Sequence, residues 1–131
     1  MKTKRNVLIV TDGSAETGKF AAEIASALQD DEVSSKAASE FAGNDILPAK
    51  VFFLGCQEPA PDSFAYITDL FKHINLAGRT CGLFCSGSER AAEYLTDLVK
   101  DCDAAINIYP FLAGNEISPK NWAQNVISRA F

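Results

Sequence analysis

The chain has 131 residues, 47% of them hydrophobic, and a formal net charge of -5. That length predicts one domain over 1–131, with enough apolar side chains for a layered core. The acidic balance, with lysines and arginines scattered, argues against a nucleic-acid surface or an anionic membrane surface, because nothing would neutralise the phosphates.

No apolar run reaches membrane-spanning length. The basic opening MKTKRN precedes an apolar run too short for a secretory leader core of ~7–15 residues, so a cytoplasmic protein is expected. The four cysteines, Cys56, Cys81, Cys85 and Cys102, lack paired C-x-x-C spacing, and His73 is the single histidine. A zinc site is therefore not expected.

In chain order, NVLIV (Asn6–Val10) is a continuous apolar run of buried parallel-strand type. The next segment has helical period, with Phe20, Ile24, Ala27 and Leu28 on one stripe. Between them, the turn at 11–19 combines glycine, small hydroxyl residues and acids. In DEVSSKAASEF, the second half is read as an edge strand, and AGNDILPA leaves room only for a rudimentary helix. KVFFLGC is the clearest strand. After QEPAP, Asp62 is placed to cap a helix burying Phe64, Ile67, Phe71 and Ile74. A turn at Ala77–Gly78 leads into a strand near Arg79–Cys85. Ser86 and Glu89 have capping-box spacing before a helix with Ala91, Leu95, Leu98 and Val99 inward. DAAINIYP reads as a fifth strand stopped by Pro110. Ser118 and Pro119 then open a last helix with Trp122, Val126 and Ala130 buried.

Strands alternating with helices predict an α/β three-layer sandwich: a five-stranded parallel sheet covered on both faces. Ligands of such sheets bind outside the carboxyl ends of the strands, where strand order reverses. The candidate site is therefore Thr11–Lys19, Cys56–Pro61 and Cys85–Glu89.

Three segments, LIVTDGSAETGKFAAEIASAL, KVFFLGC and DSFAYITDLFKHINLAGRTCGLFCSGSERAAEYL, resemble the flavodoxin family in order and spacing. The resemblance implies strand order 2-1-3-4-5 and FMN held non-covalently at the switch point, the placement for which flavodoxin is itself the standard example. It also implies electron transfer to a redox protein partner, with an acidic rim assisting docking, and an electron carrier rather than a substrate-turning enzyme. Asp12, Gly13, Ser14, Ala15, Glu16, Thr17, Gly18 and Lys19 would surround the phosphate, through amides, hydroxyls and the positive helix end. Cys56, Gln57, Glu58, Cys85, Ser86 and Gly87 would line the ring.

Aligned on Thr17-Gly18, the loop has Ala15 and Phe20 where the family has hydroxyls, and QEPAPD and SGSERA offer no aromatic ring for the flavin. These departures define the alternative: a non-catalytic flavodoxin-fold binding or assembly module without flavin. Two sharper readings fail. A receiver domain needs an acidic acceptor where Gly55-Cys56 stand, and CSGSER is one residue short of a phosphatase loop. Cys56 and Cys85 end adjacent strands, where buried small hydrophobes are the ordinary reading and a redox pair the alternative.

Overall fold

The computed structural model describes residues 6–87, 89–114 and 116–128. β1 (Asn6–Thr11), β2 (Glu32–Ala37), β3 (Val51–Cys56), β4 (Thr80–Cys85) and β5 (Phe111–Leu112) form one parallel sheet in the order β2-β1-β3-β4-β5. The helices are α1 (Ala15–Ala27), α2 (Gly43–Ile46), α3 (Ala65–Leu70), α4 (Glu89–Lys100) and α5 (Pro119–Ser128). The expected strand order is the observed one.

The period-two alternation of side chains explains why the central strands are apolar throughout: each odd–even pair serves two cores. Leu8, Val10, Phe52, Leu54, Cys56, Cys81, Leu83 and Cys85 face α3 and α4, meeting Phe64, Ile67, Phe71, Leu95 and Val99. Val7, Ile9, Val51, Phe53 and Phe84 face α1 and α5, meeting Ile24, Leu28, Trp122 and Val126. On that second face the large rings fit because glycine stands opposite them. The register pairs Phe53 with Gly82 and Gly55 with Phe84. A Cβ at Gly55 would run into the Phe84 ring, and one at Gly82 into the Phe53 ring. Trp122 then packs against Phe53 at 5.7 Å, Phe84 at 6.4 Å and Phe111 at 5.7 Å.

The structure corrects several expectations. β2 occupies the first part of DEVSSKAASEF, Glu32–Ala37, and Ala38–Glu40 is a 3₁₀ turn. On α1 the buried residues are Thr17, Ala21 and Ile24, followed by Leu28, while Phe20 and Ala27 are half-buried. Asp62 opens a 3₁₀ turn whose cap position is Pro61, and it makes no side-chain cap. Phe64, Ile67 and Phe71 are buried as expected, and Ile74 is half-buried. The segment before Pro110 is not a strand. It makes one bridge, Thr80 to Ala105, and pairing resumes only after the proline, at Phe111 and Leu112. The rudimentary helix is α2, and Ser118 Oγ accepts the Asn121 N–H at 3.1 Å to cap α5. Ala130 lies outside the described residues.

Gly55→Ala is expected to cost about 1–3 kcal/mol, the usual cost of overpacking a filled core. A urea titration against the parent chain, read by Trp122 fluorescence, measures it.

Candidate functional site

β1, β3 and β4 end side by side, at Thr11, Cys56 and Cys85, so the loops that follow them meet at one edge of the sheet. Gly13, at φ +86, turns the chain from β1 toward α1. A left-handed φ of this kind suits glycine. Ser14 is the N-cap, extended at φ -71 and ψ 151, and its hydroxyl accepts the Thr17 N–H at 3.4 Å.

The centre of this edge is the Asp12 carboxylate. Oδ1 accepts the Ser14 N–H at 3.0 Å and the Ser14 hydroxyl at 2.8 Å. Oδ2 accepts the Gln57 N–H at 2.9 Å, which ties the loop after β1 to the loop after β3. Ser14 Oγ also lies 2.8 Å from Thr17 Oγ1, and Thr17 Oγ1 lies 2.9 Å from Ser86 Oγ. A carboxylate only accepts, so the hydroxyls of Ser86, Thr17 and Ser14 form a chain that ends on Asp12. Thr17 is fully buried. Ser63 completes the set, donating its hydroxyl to the Asp12 carbonyl at 3.2 Å.

Of the sequence-selected residues, Asp12, Ser14, Thr17, Gln57 and Ser86 are thus joined by hydrogen bonds. Gly87 abuts the same set: a Cβ there would run into the Gln57 carbonyl, so the loops after β3 and β4 touch backbone to backbone. Ala15, Glu16, Gly18, Lys19 and Glu58 are exposed outside the network. Lys19 and Glu16 approach to 3.9 Å on the surface. Gly18 has open space beside it, with nothing within 4 Å of a built Cβ. Ser86 was expected to cap α4, yet α4 begins at Glu89 and the Ser86 hydroxyl turns to Thr17 instead. Ser63 was not foreseen, since no spacing in DSF marks a hydroxyl that folds back onto Asp12.

Cys56 and Cys85 are register partners beneath the network, and both are fully buried. Hydrogen bonding to Cys85, then burial, then the negative charges of Asp12 and Glu58 push the Cys56 thiol far above the usual thiol range. Burial does the same for Cys81 and raises Cys102. These are thiols held protonated, which disfavours nucleophilic chemistry.

No protein-family model matches the chain, and no curated protein does. Solved structures do. Oxidised flavodoxin 2 from Bacillus cereus superposes with a TM-score of 0.80 at 18% identity, covering 96% of this chain and 99% of that one. Two-electron reduced Megasphaera elsdenii flavodoxin gives 0.74 at 23%, covering 93% and 98%. FMN-bound Fusobacterium nucleatum flavodoxin gives 0.76 at 12%, covering 98% and 100%.

The chain has the flavodoxin fold. Whether its switch point suits FMN is then a question about donors and space. A phosphate at a helix N-terminus needs unengaged N–H and O–H groups. Here Ser14 N–H, Ser14 O–H and Gln57 N–H already serve Asp12, and the Thr17 hydroxyl is turned inward. A phosphate dianion would also stand beside the Asp12 carboxylate, which repels it. The loop stretches 57–61 and 86–87 contain no aromatic ring. Tyr66 packs on Phe41 at 6.1 Å while accepting the Gly43 N–H, and Tyr94 packs on Phe64 at 6.3 Å. In this arrangement Asp12 already takes three of the donors that a phosphate at this edge would use, and these loop stretches offer a flavin no stacking ring.

Asp12→Ala leaves the Gln57 and Ser14 amides without their acceptor and is expected to cost about 1–3 kcal/mol in a urea titration. Asp12→Asn, which keeps one carbonyl oxygen, is expected to cost less. A pH series tests the cysteines. In the folded chain the thiols of Cys56, Cys81 and Cys102 stay protonated while those of the unfolded chain ionise near 8.5, so stability is full below that value and falls as pH rises through it. The urea midpoint is expected to drop between about pH 7 and about pH 10, and Cys81→Ala to flatten that drop.

Proposed function

We propose that the chain is a non-catalytic flavodoxin-fold binding or assembly module whose switch point is held shut by its own side chains. The supporting observation is Asp12: one carboxylate takes an amide and a hydroxyl from the mouth of α1 and an amide from the β3 loop. It supplies the negative charge that this end of the fold accommodates, and it does so from within the chain. The closed loops and the absence of a stacking ring in them favour the same reading. Function then resides on the surface of the domain, in what it docks against.

A second reading has the fold itself in its favour. The Fusobacterium nucleatum flavodoxin is bound to flavin mononucleotide, and this chain has a switch point between β1 and β3 in its own sheet order. On that reading the chain is an FMN-binding electron carrier serving a redox protein. Residues 12–19 would then hold the phosphate, and Cys56, Gln57, Glu58, Cys85, Ser86 and Gly87 would border the ring.

The absorbance spectrum of aerobically purified protein separates the two. The module reading expects a colourless protein that leaves the fluorescence of added FMN unchanged. A yellow protein, or saturable quenching of FMN, overturns it and supports the electron carrier.

A further inference from the structure

The sheet edge at β5 carries a concave surface of its own. Between the Thr80–Ala105 bridge and the Phe84–Phe111 pair, residues 106–110 run opposite only 81–83 of β4, so the chain bulges outward. The bulge is pinned from inside, because the buried Trp122 indole N–H donates to the Tyr109 carbonyl at 2.9 Å. Its outer side presents Tyr109, 55% exposed. A cavity of about 570 Å³ lies between bulge and α4, lined by Ala92, Tyr109, Pro110, Leu112, Glu116 and Ile117. A second, of about 450 Å³, shares Ala92 and Pro110 with it and adds Glu89, Glu93, Thr96 and Asp97 of α4. Among the described residues, neither lining includes a lysine or an arginine.

Glu89, Glu93 and Asp97 recur every fourth residue, so they form one stripe with a rise of ~6 Å between carboxylates. Two cations share the helix. Lys100 approaches Asp97 at 3.7 Å with both side chains 75% exposed, a weak surface pair. Arg90 is exposed beside Glu89. The stripe stays acidic beside an apolar floor. Pro110 and the bulge interrupt the edge, so strand addition is blocked and an occupant must dock through side chains.

We propose that this groove docks a basic amphipathic helix of a partner protein. Lysines or arginines at four-residue spacing would face Glu89, Glu93 and Asp97, and an apolar side chain would sit against Tyr109, Pro110 and Ile117. Charge complementarity names the partner's sign, and the matched spacing names its conformation. The proposal gives the binding-module reading its partner chemistry and rests on it.

An amide NMR titration of the full chain with a synthetic leucine–lysine peptide, patterned as an amphipathic helix, tests it. Shifts are expected to concentrate on 89–97 and 109–117. The Glu89→Lys/Glu93→Lys double variant is expected to bind at least about tenfold more weakly, and Tyr109→Ser, which leaves the charge unchanged, also more weakly. The proposal is overturned by an absence of shifts in the groove, by shifts spread evenly over acids elsewhere, or by unchanged affinity in the double variant. Equal binding of a leucine–glutamate peptide overturns it too. FMN titration reads the switch point, a different set of amides, so failure of the groove is distinguishable from failure of the module reading.

Discussion

One carboxylate, that of Asp12, organises the end of the sheet where this fold presents its loops. It joins the mouth of α1 to the β3 loop directly, and reaches the β4 loop through Ser14, Thr17 and Ser86. Charge-assisted hydrogen bonds of this kind are stronger than neutral ones. A group supplied by the chain is held in place by the fold, whereas a dissociable anion loses freedom on binding. The same helix mouth that suits a phosphate is thus used to settle the chain's own loop geometry.

That arrangement depends on the sheet beneath it. Asp12 reaches Gln57 because β1 is paired with β3 to its last residue, Thr11 opposite Gly55, and Ser86 reaches Thr17 because β4 is in register with β3 through Cys85. The register is in turn fixed by the alternation of Phe53 over Gly82 and Phe84 over Gly55: a slip of one residue would reverse the buried faces, and a slip of two would set Phe53 against Phe84. Packing on the α1–α5 face and hydrogen bonding at the loop edge are therefore one system.

The parts of the fold legible in the sequence are those where burial on both faces leaves an unbroken apolar run. β1, β3 and β4 are such runs, and their order with the intervening helices yields the topology. β2 is an edge strand whose SSK core is polar, so its position within DEVSSKAASEF carries no hydrophobic signal. β5 is only Phe111–Leu112, and DAAINIYP has strand composition but makes a single bridge, at Ala105. The location of the candidate site followed from strand order, but its wiring did not. A sequence motif records which residues carry hydroxyls and acids. It does not record that Asp12 turns back to accept from Ser14 and Gln57, that Ser86 serves Thr17 rather than α4, or that Ser63 joins from the β3 loop.

The central claim is that the Asp12 bond to Gln57 holds without any ligand. Amide hydrogen exchange at Gln57 tests it most directly. The account predicts slow exchange in the protein alone, unchanged by excess FMN and lost in Asp12→Ala. Free exchange at Gln57 in the parent chain, or protection that arises only when FMN is added, would contradict it.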